Sequence, residues 1–324
     1  MPSSPSSVTK SALLTSPSAL TTRLLLRLHA DGLVALGSWL LVLGLALLLG
    51  GSLRFTARTL WAPVLAAALG MVCTALCRRP FYRGLGEWWP LIAMIALYMQ
   101  LDPYTRLWSA QPQDARLVAL DVQWLGCVPS EWLARYRRPW LTEVMALAYS
   151  SYFLLALGAA APTYIPTVGH GQQAQLRHRQ DFRAVLTAHV LALGIGFLGY
   201  LLLPARGPRY FLPTAEPLVG TFGYYEWAVA QWNAMQEVAC DAFPSLHTAA
   251  AVLAIVHSLR YRRLWPPLSF LPWLIVPMAV LLVVSTIYLR MHYAVDVVAG
   301  LLVALMALLL GRRSVAAIER QRGR

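Results

Sequence analysis

Two histidines and an aspartate carry side chains suited to nucleophilic or acid–base chemistry. His292 and Asp296 are four residues apart at the start of a long apolar stretch, so a helix would place them side by side on one face. A carboxylate beside an imidazole fixes the tautomer of the ring and raises the basicity of its other nitrogen. The pair therefore has the features of a nucleophilic or general-base histidine. An aspartate that caps a helix next to an interfacial histidine has the same spacing.

A second histidine, His247, follows Pro-Ser at another predicted helix start. Free backbone N–H groups and the helix dipole favour an anion at such a position. The hydroxyl or amide of Ser245 lies close enough in sequence to assist. The alternative is an interfacial histidine that bonds to a loop.

Arginines near these segments are candidates for binding phosphate. Arg206 and Arg209 flank Gly-Pro, a rigid turn that could direct two guanidiniums toward one phosphate group. Ordinary snorkelling at the end of a membrane span is the alternative. Arg290 lies two residues before His292 and is a third candidate, although helical geometry would direct it to a different side.

The composition indicates that these residues belong to a membrane protein. Of the 324 residues, 58% are hydrophobic and only 13% are charged, and the mean hydropathy is +0.55. Soluble domains are about half apolar and about a quarter charged. The sequence therefore excludes a cytosolic enzyme, a coiled coil and a disordered chain, and predicts an all-α, polytopic membrane helix bundle.

Apolar stretches near the length of a membrane span predict about eight crossings. Three regions follow from them: a disordered or amphipathic cytoplasmic leader (1–31), an integral membrane domain (32–311) and a basic cytoplasmic tail (312–324). The predicted spans are Gly32–Leu53, Leu60–Cys77, Trp88–Leu101, Trp140–Ala161, Ala184–Leu203, Pro244–Leu259, Pro267–Leu289 and Tyr293–Leu310.

Charge asymmetry predicts the orientation in the membrane. Seventeen of the 27 basic residues fall on the side of the two termini, with only four acidic residues. The positive-inside rule then places both termini in the cytoplasm. The loops Asp102–Pro139 and Pro204–Phe243 face outward, and the three candidate segments meet at that same outer face. We expect a multi-pass protein of a bacterial inner (plasma) membrane with an extracytoplasmic site.

The net charge of +13 fits basic loops beside membrane spans better than a nucleic-acid partner, because no basic run is interleaved with a nucleic-acid motif. The four cysteines lack metal-ligand spacing. A disulfide between Cys127 and Cys240 is allowed by topology but is not favoured. No carboxylate cluster of metal type is present, so we expect neither a metal nor a cofactor.

The motifs resemble the type-2 phosphatidic acid phosphatase superfamily of membrane phosphoesterases. That superfamily has Lys-x6-Arg-Pro, Pro-Ser-Gly-His and Ser-Arg-x5-His-x3-Asp. This chain differs, because Leu246 replaces the usual glycine, Thr286 replaces the usual arginine, and no lysine precedes Arg206 or Arg209 at the usual spacing. The differences are similar to the inositol phosphorylceramide synthase-like (inositolphosphotransferase) branch, with its Phe-Pro-Ser-Leu-His and Tyr-Leu-x-x-His-Tyr-x-x-Asp.

The resemblance implies a fold with a six-helix phosphatidic acid phosphatase-like core and a role for each motif residue. His292 would attack phosphorus and form a phosphohistidine, with Asp296 orienting it. His247 would protonate the leaving oxygen and then deprotonate the incoming hydroxyl. Arg206 and Arg209 would hold the non-bridging oxygens with help from Ser245, and Arg290 would compensate for the missing motif arginine.

The implied partners are the membrane, a phospholipid or lipid-phosphate substrate and an alcohol acceptor. Transfer to an alcohol is the leading reaction because of the branch resemblance, and hydrolysis by a lipid phosphate or polyprenyl diphosphate phosphatase is the alternative. The two reactions share every step up to the intermediate, so the motifs do not separate them. A transporter or a non-catalytic scaffold fits less well, because either would leave the histidines and Asp296 unexplained.

Overall fold

The computed structural model describes residues 30–50, 83–99, 113–165, 172–213, 217–235, 240–264 and 266–322, with five single positions at Leu65, Ala68, Val72, Leu101 and Thr105. Over these residues the chain forms twelve α-helices and two 3₁₀ turns, with no strand. The predicted all-α class is therefore confirmed. Most of the leader and nearly all of the predicted span Leu60–Cys77 lie outside the described residues.

The helices, numbered in chain order, have the following bounds. They are α1 Ala30–Gly50, α2 Arg83–Tyr98, α3 Asp114–Leu125, α4 Pro129–Leu133, α5 Pro139–Ser150, α6 Tyr152–Tyr164, α7 Gln172–Leu202, α8 Pro208–Phe211, α9 Tyr224–Met235, α10 Leu246–Tyr261, α11 Leu271–Tyr288 and α12 Ala294–Arg322.

Helices or helix pairs occupy seven of the eight predicted span positions. By length and composition, three described segments can each cross a membrane: Arg179–Leu202, Pro266–Tyr288 and Ala294–Ala317. The pair α5–α6 qualifies as a fourth if it is one span bent by 48°. These segments make the chain an integral membrane protein. Helices α2 and α10 have only 16 residues each and fall below the length of a full span.

The bend between α5 and α6 has a local cause at Ser151. Its hydroxyl donates to the carbonyl of Ala148 at 2.6 Å, and its N–H is shared between the carbonyls of Leu147 and Ala148. Such side-chain bonds compete with the helical ladder and bend helices. The bend separates Tyr149 from Tyr152, and both rings pack on His247.

The long helix α7 is the centre of the bundle. It packs against α12 and α1, and also against α2, α6 and α10. The largest apolar core lies between these helices and includes Met94, Phe197 and Leu253. A smaller core joins α6, α10 and α11, and a third one beneath the candidate site includes Leu117 and Tyr293.

Glycines allow two helices to approach the start of α10 closely. A Cβ at Gly199 of α7 would overlap Pro244, and one at Gly300 of α12 would overlap the carbonyl oxygen of Ser245. The motif that contains His247 is therefore held between two rigid helices.

Candidate active site

Three segments that are distant in sequence meet at one end of the bundle. Backbone bonds join them: Arg209 N–H donates to the carbonyl of Arg290 at 2.7 Å, and Ala242 N–H to that of Ala205 at 3.0 Å. Ser245 N–H donates to the carbonyl of Asp296 at 3.1 Å. The structure thus brings together all seven residues that the sequence analysis selected for the site.

The imidazole of His292 is oriented mainly by a backbone carbonyl. Its Nδ1 lies 2.8 Å from the carbonyl oxygen of Ala242 and 3.5 Å from Oδ2 of Asp296. Because a carbonyl only accepts hydrogen bonds, Nδ1 carries the proton, and Nε2 of the neutral ring keeps its lone pair. This Nε2 lies 3.4 Å from Nδ1 of His247. Sequence reasoning missed Ala242, because every residue has a backbone carbonyl.

Asp296 is fully buried and has a capping role besides its proximity to His292. Its Oδ2 accepts the N–H of Tyr293 at 2.8 Å, the bond that a third-position side chain makes in a capping box. The carboxylate therefore fixes the start of α12 and places a negative charge 3.5 Å from Nδ1 of His292.

His247 is half-buried between two aromatic rings. The ring of Tyr149 stacks on it at 4.4 Å between centroids, and the ring of Tyr152 lies at 4.7 Å. Tyr149 in turn contacts Trp232 of α9 edge-on at 4.7 Å. Helix α9 therefore packs against the aromatic rings that flank His247.

Ser245 caps the helix that carries His247. Its hydroxyl oxygen accepts from the N–H of Thr248 at 3.2 Å and from the hydroxyl of Thr248 at 3.0 Å. The side chain is fully buried. The structure thus accounts for Ser245 as an N-cap, and its proposed contact with phosphate stays a prediction.

The three arginines have different surroundings. Arg206 is exposed, whereas Arg209 is half-buried and its Nη1 is buried without a hydrogen-bond partner among the described residues. Arg290 is buried, has a φ of +62°, and donates from Nη2 to the carbonyl of Leu212 at 3.0 Å and that of Pro213 at 3.3 Å. Arg209 is thus the arginine best placed to receive an anion, and Arg290 holds the turn beside it.

Helix α3 braces the site through two buried carboxylates that the sequence analysis did not assign to it. Asp114 accepts the N–H groups of Arg206 and Gly207 at 2.9–3.1 Å and the hydroxyl of Tyr293 at 2.9 Å. It therefore ties the arginine turn to the His292 segment. The signal that could have found it is the buried face formed by Asp114, Leu117 and Asp121 at helical spacing.

Asp121 caps the helix that follows His292. It accepts the N–H groups of Ala294 and Val295 at 2.9 Å each, two of the donors that a helix start leaves unpaired. Burial raises the pKa of Asp121, and these two N–H groups oppose the rise by stabilising the carboxylate.

A buried carboxylate holds the loop before α9 close to the site. Glu143 of α5 accepts the N–H groups of Phe222 and Tyr225 at 2.7 and 2.9 Å, and so fastens the loop that precedes α9 to the bundle. Cys127 and Cys240 are not joined by a disulfide. Among the described residues, no group of three or more histidine, cysteine or acidic side chains could hold a metal.

The family model for the PAP2 superfamily, the type-2 phosphatidic acid phosphatases, matches residues 115–310, more than half of the chain. The chain belongs to the PAP2 superfamily. Members of the superfamily are generally phosphatases or phosphotransferases, so membership indicates an enzyme that acts on lipid phosphates. The matched region contains Asp121 and all seven predicted site residues. No curated protein and no solved structure matches the chain.

Proposed function

We propose that this PAP2 protein is a membrane phosphotransferase that moves a phospho-headgroup from a lipid to an alcohol through a phosphohistidine at His292. The observation that carries the proposal is the bond between Nδ1 of His292 and the carbonyl of Ala242. It leaves the lone pair of Nε2 for attack on phosphorus, and it holds the ring in place during the attack.

In the first half-reaction Nε2 of His292 forms a bond to phosphorus while the bond from phosphorus to the leaving oxygen breaks. His247 lies 3.4 Å from the attacking nitrogen and gives its proton to the departing alkoxide. Asp296 stabilises the positive ring that results. In the second half-reaction His247 takes the proton of the acceptor hydroxyl, the new oxygen–phosphorus bond forms, and the bond to His292 breaks.

The negative charge that develops on phosphorus calls for fixed cations. Arg209, with a buried nitrogen that lacks a partner, is the principal candidate for the non-bridging oxygens. Arg206 lies on the same turn and adds a second guanidinium. Ser245 at the start of α10 and Arg290 behind the turn are the remaining predicted phosphate residues, and we assign both mainly to positioning.

Transfer is preferred to hydrolysis because Phe243 to His247 and Tyr288 to Asp296 are similar to the inositol phosphorylceramide synthase-like branch. The site would face the extracytoplasmic side of a bacterial plasma membrane, with both termini in the cytoplasm. A lipid phosphate or polyprenyl diphosphate phosphatase is the second candidate, since water can attack the same intermediate.

Rapid-quench labelling tests the intermediate. Purified protein in detergent micelles is mixed with phosphorus-labelled phospholipids and quenched in alkali, which preserves phosphohistidine. We expect label on the wild type and none on His292→Ala. Label that persists in His292→Ala and disappears in His247→Ala would assign the nucleophile to the other histidine.

Product analysis tests transfer against hydrolysis. The same reaction is run with and without added alcohols, and the phosphorus-containing products are separated. A new phosphodiester in the presence of the alcohol supports transfer. Release of inorganic phosphate alone, whatever alcohol is added, would identify a phosphatase.

A further inference from the structure

Helix α9 has an exposed apolar stripe, although the helix is too short to cross a membrane. Trp227, Ala230 and Ala234 are exposed and follow one another at helical spacing, and we call them the α9 stripe. Trp227 is 58% exposed, and Phe222 in the loop just before the helix is 84% exposed. The 12 residues of α9 extend over about 18 Å, well short of the hydrocarbon core. Exposed apolar side chains grouped in this way mark a surface that binds a partner.

The opposite face of α9 relates the helix to the candidate membrane spans. Tyr225 and Trp232 pack on a buried cluster that contains Met145, Tyr288 and Leu289. Tyr288 is the last residue of the candidate span that ends with α11, and Met145 lies in α5, the first half of the bent candidate span. Helix α9 therefore lies beside the end of one span and the first turns of another, which is a position at the boundary of the membrane.

A second exposed stripe of α9 is polar. It consists of Glu226 and Asn233, which lie about a quarter of a turn around the helix from the α9 stripe. Oε1 of Glu226 accepts the N–H of Gly220 at 2.7 Å, and Oδ1 of Asn233 accepts the hydroxyl of Tyr210 at 3.2 Å. Tyr210 is the neighbour of Arg209 in the phosphate turn. A helix with separate apolar and polar exposed stripes is suited to lie in the interface of a membrane.

We propose that the α9 stripe and Phe222 bind the lipid surface of the membrane, and that this contact holds α9 against the bundle. Trp140, in the first turn of the neighbouring helix α5, is exposed as well. Aromatic rings are favoured at the level of the lipid headgroups. Lipid then covers the exposed side of a helix whose other side supports the ring of His247 through Trp232 and Tyr149. The inference goes beyond the proposed function, because it requires neither a phosphohistidine nor an acceptor.

Spin labels measure whether the α9 stripe lies in lipid. Ala230→Cys, Ala234→Cys and Asn233→Cys are made one at a time in the full-length protein without its four native cysteines, in nanodiscs of phosphatidylcholine and phosphatidylglycerol. Each nitroxide label is exposed to oxygen, which concentrates in lipid, and to a water-soluble nickel chelate. We expect the labels at 230 and 234 to collide more often with oxygen, as does a label in Leu302→Cys on the exposed face of α12. The label at 233 should collide more often with the nickel chelate.

Two results of the labelling experiment would overturn the lipid contact. More frequent collisions with the nickel chelate at positions 230 and 234 would place the α9 stripe in water. Infrequent collisions with both reagents at these positions would show that a protein surface, such as a second copy of this chain, covers the stripe.

Hydrogen exchange in the same nanodiscs tests whether the lipid contact holds α9 in place. Trp227→Glu puts a charge in the α9 stripe, whereas Asn233→Asp puts the same charge in the polar stripe and keeps an oxygen for the hydroxyl of Tyr210. We expect amide exchange across α9 to rise about ten-fold in Trp227→Glu, because a charge is costly next to hydrocarbon and local opening then becomes easier. Exchange in Asn233→Asp should stay within about two-fold of the wild type, as for an ordinary surface substitution. Unchanged exchange in Trp227→Glu, or equal rises in both variants, would overturn the proposal that lipid holds the helix.

Discussion

The orientation of His292 depends on two oxygens of different kinds. The neutral carbonyl of Ala242 holds the proton of Nδ1 at 2.8 Å, and the carboxylate of Asp296 stands further away at 3.5 Å. The first interaction selects the tautomer. The second adds negative charge, which favours the positive ring that forms when Nε2 attacks phosphorus.

Replacing Asp296 separates these two contributions. An asparagine keeps an oxygen for the N–H of Tyr293 but has no charge, and Ala242 still selects the tautomer. We therefore expect Asp296→Asn to form the phosphoenzyme with a rate lowered about 10²-fold, as for loss of one preorganised electrostatic group. Single-turnover labelling measures this rate. A fall of about 10⁴-fold, the size that accompanies a wrong tautomer, would show that Asp296 rather than Ala242 orients the ring.

Burial predicts unequal roles for the two arginines of the phosphate turn. Arg209→Ala should lower kcat about 10²- to 10³-fold, because it removes a fixed cation from a partly buried site. Arg206→Ala should cost about ten-fold or less, because an exposed guanidinium is screened by water. Turnover of a labelled phospholipid checks both variants, with Arg262→Ala at the far end of α10 as the control. Wild-type turnover in Arg209→Ala would exclude it from the phosphate site.

At the scale of elements, α3 joins the arginine turn to the His292 segment through Asp114. The two oxygens of Asp114 accept three backbone contacts and one hydroxyl. In Asp114→Asn an amide NH₂ takes the place of one oxygen and faces the N–H of Arg206, which keeps only its contact with the remaining oxygen. We expect a destabilisation of about 1–3 kcal/mol together with a lower kcat. Thermal unfolding in detergent and lipid turnover measure the two effects. An unchanged melting temperature and kcat would show that the segments are held together by other contacts.

The packing of α12 on the start of α10 depends on Gly300. A Cβ there would overlap the carbonyl of Ser245 and lie 2.9 Å from Cβ of Thr248, whereas one at Gly37 of α1 would meet nothing within 4 Å. Alanine in a helix is otherwise favoured over glycine by about 1 kcal/mol. Gly300→Ala should therefore lower both the melting temperature and kcat, while Gly37→Ala should leave kcat unchanged and the melting temperature equal or higher. A Gly300→Ala variant with an unchanged kcat and an equal or higher melting temperature would show that α12 can move away from Ser245 without loss of stability.

At the scale of the whole molecule, the end away from the site is basic. Arg183 forms an ion pair with the buried Asp31 at 2.5 Å, joining α7 to α1. Arg260, in the last turn of α10, and Arg312, within α12, both act electrostatically on His257, so both arginines lie at this end of the bundle. The positive-inside rule assigns such an end to the cytoplasm.

Cysteine labelling checks this orientation. In a background without the four native cysteines, Gln173→Cys and Thr221→Cys are treated in intact cells with a membrane-impermeant maleimide. We expect labelling at position 221, in the loop held by Glu143, and none at position 173. The reverse pattern would place the active site in the cytoplasm.

Local patterns in the sequence determined the class of the molecule, the positions of seven helical segments, and the residues that meet at the candidate site. Hydropathy and helical spacing depend only on residues close together in the sequence, so they can be recognised without knowledge of the fold. The spacing of four residues between His292 and Asp296 likewise predicts that Asp296 orients His292, because this pattern can be recognised in the sequence alone. Hydropathy also placed Leu60–Cys77 among the spans, which the described residues do not test.

Only the tertiary structure decided which groups become partners. Ala242 is 50 positions from His292, and Asp114 is 179 positions from Tyr293, so no local pattern relates them. The proximity of Arg290 to His292 in the sequence predicts a phosphate contact, yet its Nη2 donates to carbonyls 77 and 78 positions away. A buried donor bonds to whichever acceptor the packed helices bring within reach. The pairing of donor and acceptor depends on how α3, α7, α10 and α12 pack together. The sequence of a single helix does not determine it.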